Sequence, residues 1–284
     1  MRLGIHTSTA GSLEAAALKA ADLGANTFQI FSASPRMWRA SAPDPHQVRL
    51  LRTVRDRFDL HPLVIHVNYL INLASLDPVI RAKSIAAFRG ELERAHAIGA
   101  EYLVLHPGSH KGASVEQDIA AFVLGLRDAA QDLPAHQVTV LLENTAGAGS
   151  HLGSRFEELK SMRDLAGELT RLPIGYCLDT CHLLAAGFDI ATQAGLRDTL
   201  RRAEALLGLA NVHVIHANDS KFPLASHVDR HANIGQGHIG ADAFRRILTH
   251  PKLRRKPFIL ETPVDRPGDD RRNLDQLKSL ATRL

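Results

Sequence analysis

The chain is poor in cysteine, in aromatic residues and in long apolar runs, and each shortage removes a class of protein. Only Cys177 and Cys181 are present, spaced C-x-x-x-C. That excludes a disulfide framework and, with no second pair, a zinc site built from four thiolates. Phe, Trp and Tyr make up 5% of residues, which argues against the aromatic platforms of single-strand binding proteins. No apolar run approaches the roughly 18 residues of a membrane span, and MRLGIHTSTAG lacks the apolar core of a signal peptide. The expectation is a cytoplasmic protein without a membrane partner. Neither a G-x-S-x-G elbow nor a P-loop occurs, so a serine hydrolase or an NTPase has no motif support. No low-complexity stretch or linker divides residues 1–284, so a single domain is expected.

What is abundant is histidine, with 16 residues, which points to metal or acid–base chemistry. Lys plus Arg number 34 against 30 Asp plus Glu, a balance that permits a polyanionic partner without demanding one. Short β-branched or aliphatic runs at 2–8, 26–32, 62–68, 101–107, 137–144, 174–180, 211–219 and 256–262 alternate with helix-period segments such as 79–98 and 115–130. Eight βα units in this length suggest an α/β fold of the (β/α)8 TIM-barrel type, with a doubly wound sheet as runner-up. The polar residues favour the barrel. His66, His106, Glu143, Asp179, His216 and Glu261 close six successive runs, and only a barrel brings such strand ends to one mouth.

To these the loops add His182, one turn after Asp179, and the pair Asp229 and His231. Five imidazoles and four carboxylates exceed the roughly three protein ligands of one catalytic zinc, so several ions are implied. Imidazole and carboxylate fit zinc, with manganese competing where carboxylates dominate. Three divalent ions against four carboxylates would leave a site of about +2, suited to hydroxide and a phosphodiester. Close by, GQGHIG (235–240) fits the G-x-G-x-x-G of a dinucleotide turn, with Glu261 at a fitting distance beyond. It does not directly follow a strand, so no nucleotide cofactor is expected and its glycines read as a tight turn after the metal pair.

The segments LVLHPGSH (103–110), LLENTAG (141–147), CLDTCHLLAAGFD (177–189), HANDSK (216–221), DRHANIGQGHIG (229–240) and ILETP (259–263) strongly resemble the endonuclease IV family of abasic-site DNA repair nucleases. The resemblance implies three zinc ions. His66 and His106, with Glu143, would bind one. Glu143 would bridge to a second, completed by Asp179, His216 and Glu261, and His182, Asp229 and His231 would hold the third. Glu143 and Glu261 are the implied catalytic residues. The implied reaction is hydrolysis of the phosphodiester 5′ to an abasic site in duplex DNA. A metal-held hydroxide is the implied nucleophile and leaves a 3′ hydroxyl, and 3′-end trimming and a monomeric state are implied as well.

By the same resemblance Arg36, Met37 and Trp38, after the second strand, and Tyr69 and Leu70, after the third, enter the minor groove as wedges beside a displaced nucleotide. Barrel-mouth packing is the competing role for Trp38, Tyr69 and Leu70. Met37, Val67-Asn68, Ala148 and Ala225-Ser226-His227 depart from the family pattern without touching a proposed ligand. His6, His110, His213 and His238 are expected in packing, surface or supporting roles, and both cysteines as small buried hydrophobes. Two rivals stand beside this reading. A single-metal sugar isomerase or epimerase would use only Glu143, Asp179, His216 and Glu261. A lesion-binding protein with structural metal would bind abasic DNA without turnover.

Overall fold

Each of the eight runs forms a strand, and each strand is shorter than its run. They are β1 (Arg2–His6), β2 (Thr27–Phe31), β3 (Leu63–His66), β4 (Tyr102–Leu105), β5 (Thr139–Glu143), β6 (Ile174–Asp179), β7 (Val212–His216) and, after a ribbon of β8 (Asp219–Ser220) and β9 (His231–Ala232), β10 (Pro257–Leu260). The computed structural model describes residues 1–109, 114–133 and 138–282. His110 and Gln137, the latter expected to open the fifth strand, lie outside the described residues. The long strands pair in parallel and close in the order β1-β10-β7-β6-β5-β4-β3-β2, which settles the choice against the open sheet.

Some run ends leave the ladder because side chains take over its hydrogen bonds. Asn144 Oδ1 accepts from Asp179 N–H at 2.7 Å, and Asn218 Oδ1 accepts from Glu261 N–H at 2.8 Å. Around the barrel stand α1 (Leu13–Asp22), α2 (Pro45–Phe58), α3 (Pro78–Ile98), α4 (Val115–Ala130), α5 (Phe156–Leu169), the short α6 (Thr180–Ala185), α7 (Gln193–Leu206), α8 (Ala241–Thr249) and α9 (Asp269–Thr282). The segments expected as helices at 79–98 and 115–130 are α3 and α4. Asp77 caps α3 by accepting from Val79 and Ile80 N–H ahead of Pro78, and Gly99 ends it at φ 80°. No helix among the described residues is long and apolar enough to cross a membrane.

Strand periodicity explains how this barrel makes a site. Val64, Val104, Leu141, Cys177, Val214 and Ile259 form a fully buried cluster inside the barrel. Two residues further along the same six strands, and so on the same face, come His66, His106, Glu143, Asp179, His216 and Glu261. The apolar layer is the floor beneath the polar one. Residues of intermediate register, such as Leu63, Ile65, Leu103 and Leu142, belong instead to the core between strands and helices.

Candidate functional site: a carboxylate and imidazole ring at the barrel mouth

Glu143 lies at the centre, fully buried at the end of β5. Its Oε2 is 3.2 Å from His66 Nε2 and 2.9 Å from His106 Nε2, while its Oε1 is 2.7 Å from His216 Nδ1. One carboxylate therefore serves two sets of imidazoles with different oxygens. His216 Nδ1 is also 3.1 Å from Glu261 Oε2. Ligand-type atoms of His66, His106 and Glu143 lie within 4.8 Å of one another, as do those of Glu143, Asp179, His216 and Glu261, and those of His182, Asp229 and His231. All nine residues singled out from the sequence thus come together, in these three groups.

Local folding places the third group. Asp179 ends β6 and caps α6, its Oδ1 accepting from His182 N–H at 2.7 Å, so one turn of helix carries His182 back over the mouth. His231 arrives on β9. His182 Nε2 and His231 Nε2 approach Asp229 to 3.1 and 3.3 Å. Both ring nitrogens are nevertheless buried without a hydrogen bond.

The outer nitrogens show what the inner ones offer. His66 Nδ1 lies 2.7 Å from Val67 O, so one departure from the family pattern does touch a ligand-type residue, through its backbone; His182 Nδ1 lies 2.9 Å from Asn144 O and His231 Nδ1 3.0 Å from Glu261 O. A carbonyl can only accept, so each Nδ1 carries the hydrogen and each neutral ring turns an Nε2 lone pair inward. For His216 the same task falls to Gln29. The Gln29 amide must donate to Glu261 Oε1, at 2.6 Å, so its oxygen faces His216 Nε2 at 2.9 Å and leaves Nδ1 as the inward lone pair. The other Gln29 N–H points at His6 Nδ1, 3.0 Å away. Four lone pairs aimed at carboxylate oxygens repel unless a cation or proton lies between them. Orientation of ligating histidines by outer acceptors is the usual support of a metal site, and this donor set fits divalent ions.

The surrounding carboxylates also favour the charged form of these imidazoles. Burial opposes a charged His182, but Asp179, Asp229 and Glu143 overcome it and push its pKa up to about 10. Burial likewise opposes a charged His231, and Asp229, Asp179 and Glu261 raise it to about 9. His66 is raised against burial by Glu143. The carboxyls move the other way: despite burial, Asp229 is held far below its ordinary range by His182 and His231, and Glu143 by His216 and His106. Burial pushes the thiols of Cys177 and Cys181 up to about 12, in keeping with small buried hydrophobes.

Above the ring opens a cavity of about 320 Å³, walled in part by His6, Phe31, Tyr69, Thr262 and Val264. His6 therefore belongs to the mouth; burial lowers its pKa, and its ring packs on Phe31 at 4.5 Å. His213 stacks on Tyr102 at 5.4 Å away from the mouth ring, and His238 is exposed. On the rim Met37 is 57% and Tyr69 72% exposed, and Arg36 is exposed. Trp38 is half-buried against the core with Lys83 Nζ 6.0 Å from its ring centroid, and Leu70 is half-buried. The supporting residues are Gln29, Asn144, Asn218 and Thr180, whose hydroxyl donates to Asn218 O at 2.7 Å, and the motifs do not single them out. Gln29 stands two residues after Thr27 on β2, the same inward register as the ligand-type residues, and a lone amide in TFQIF was the available signal.

Fold and ring together define a (β/α)8 barrel with a carboxylate and imidazole site at the C-terminal mouth of its strands. The model of the xylose isomerase-like TIM barrel family matches residues 17–281. The probable endonuclease 4 of Solibacter usitatus (strain Ellin6076) is 79% identical over 281 residues, covering 99% of this chain and 97% of that one. The crystal structure of endonuclease IV from Thermus thermophilus superposes with a TM-score of 0.85 at 38% identity, covering 99% of this chain and 98% of that one. The chain belongs to the endonuclease 4 family of xylose isomerase-like TIM barrels. A D-tagatose 3-epimerase-like protein, at TM-score 0.71, 21% identity and coverage of 99% and 97%, shares the fold alone.

Proposed function

We propose that the chain is a hydrolase that cuts the phosphodiester 5′ to abasic sites in duplex DNA, using three divalent ions held by the nine mouth residues. His66, His106 and Glu143 would hold the first. Glu143, Asp179, His216 and Glu261 would hold the second, and His182, Asp229 and His231 the third. Imidazole and carboxylate donors favour zinc, manganese being the alternative where carboxylates dominate. Ions of this kind supply Lewis acidity and activated water at neutral pH. The observation that carries the reading is Glu143, whose two oxygens face different imidazole sets at 2.7–3.2 Å.

The chain's own residues do the rest. The four carboxylates offset cationic charge and leave the mouth suited to an anionic phosphate. The carbonyls of Val67, Asn144 and Glu261 and the Gln29 amide hold His66, His182, His231 and His216 in one tautomer each, so these four are set before substrate arrives. Exposed Met37 and Tyr69 stand where a duplex would meet the rim, with Arg36 beside them to face a phosphate. The half-buried Trp38 serves more as the base of that loop than as a wedge. The reading includes 3′-end trimming by the same chemistry and a monomeric, cytoplasmic enzyme without a nucleotide cofactor.

A sugar epimerase needs only the second group and leaves His66, His106, His182, Asp229 and His231 without a task. The test is a duplex carrying one tetrahydrofuran abasic analogue, run beside an undamaged duplex and a panel of ketoses. Incision on the 5′ side with a 3′ hydroxyl product, and no ketose turnover, is expected. Binding without cleavage, or ketose conversion, would refute the proposal. Within the site, Gln29→Ala is expected to lower metal affinity or activity by about 10–100-fold by freeing His216, with the loss read by dialysis against buffered zinc. Unchanged affinity and rate would remove Gln29 from the account.

A further inference from the structure

The glycine-rich loop 235–240 has a ligand, and it is internal. Asp219, fully buried on β8, accepts five backbone N–H groups with its carboxylate. Ser220 and Ile239 N–H reach Oδ1 at 2.8 and 2.9 Å, and Gly235, Gly237 and Gly240 N–H reach Oδ2 at 2.9, 3.0 and 3.3 Å. Successive amides turned toward one anion form the concavity that elsewhere cradles a phosphate, which is why the sequence imitates a dinucleotide turn. Here a side chain of the same chain fills it. Glycine is required by geometry: Gly235 and Gly240 have φ +80°, and a Cβ on Gly237 would meet Ser220 O at 2.3 Å and Asp219 Oδ1 at 2.5 Å.

The segment so anchored is the one that presents the third group. Asp219–Ser220 pairs antiparallel with His231–Ala232, Ser220 opposite His231, and Lys221 N–H donates to Arg230 O at 2.9 Å. His238 N–H donates back to Ser220 O at 2.8 Å, closing the segment on both sides of His231. We propose that Asp219 is a positioning residue: by gathering the amides of residues 235–240 it holds Asp229 and His231 opposite His182. The inference rests on the three-ion reading. It makes the glycine loop a brace for one ion and leaves the other two to the barrel strands.

The experiment compares wild type, Asp219→Asn and Gly237→Ala, which disturb the same contact from its two sides. In Asp219→Asn an amide N–H replaces an acceptor facing N–H donors. Two quantities are read: zinc bound at equilibrium against buffered free zinc, and amide exchange across 229–240. In both variants exchange across 229–240 should accelerate, and one of the three zinc affinities should fall by about 10–100-fold, with the other two unchanged. A merely structural role would weaken all three together or none, and either result overturns the proposal. Should Asp219→Asn fail to fold, Gly237→Ala decides by the same criterion. Wild type that binds fewer than three ions would refute the three-ion reading itself and this inference with it. Three ions bound equally by wild type and both variants would overturn the inference alone.

Discussion

Glu143→Gln is expected to reduce incision of an abasic duplex by about 10⁴-fold or more, a loss of about 5 kcal/mol in transition-state stabilisation at about 1.4 kcal/mol per tenfold. The size follows from the geometry. Oε2 answers His66 and His106 and Oε1 answers His216, so one substitution damages two of the three groups. The amide keeps the shape but turns N–H donors on one side and removes the charge that offsets the ions. Because Glu143 is fully buried, nothing from solvent can replace it. The variant's turnover is measured after its thermal unfolding has been shown to remain cooperative. Retention of more than about 1% of the wild-type rate would be incompatible with a shared carboxylate at the centre of the site.

The second large effect concerns the third group. His182→Ala and His231→Ala should each lose one ion and about 10²–10³-fold in rate, comparable to removing one preorganised stabilising element from an active site. The double variant should be little worse than the poorer single one, because on the proposed function both residues would act through the same ion and such effects do not add. Multiplying losses would mean that the two imidazoles act separately. Near-normal turnover in both singles would return the site to the four residues that suffice for a one-metal epimerase.

Much of this was readable in the sequence, for a physical reason. A barrel brings strand ends together, so polar residues closing successive aliphatic runs had to meet, whatever the helices did. His66, Glu143, Asp179 and His216 are the last residues of their strands, and His106 and Glu261 stand one step beyond theirs. The strand limits were less readable, because they depend on partners. Asn144 and Asn218 look like strand residues until their side chains are seen capturing the backbone of Asp179 and Glu261.

Gln29 and Asp219 were missed for the same reason. Gln29 meets Glu261 across 232 residues of chain, and Asp219 meets loop amides 16 to 21 residues further on; nothing local marks either partner. The glycine loop misled in an instructive way. A pattern that records amides gathered around an anion does not say whose anion it is.

On the proposed function, catalysis needs all three ion sites at once. The direct measurement is to strip the protein of metal, add zinc in steps, and follow bound metal and incision of the tetrahydrofuran duplex in the same samples. Little activity through the second equivalent and a rise to full rate with the third are expected. Full activity at one equivalent would contradict that requirement.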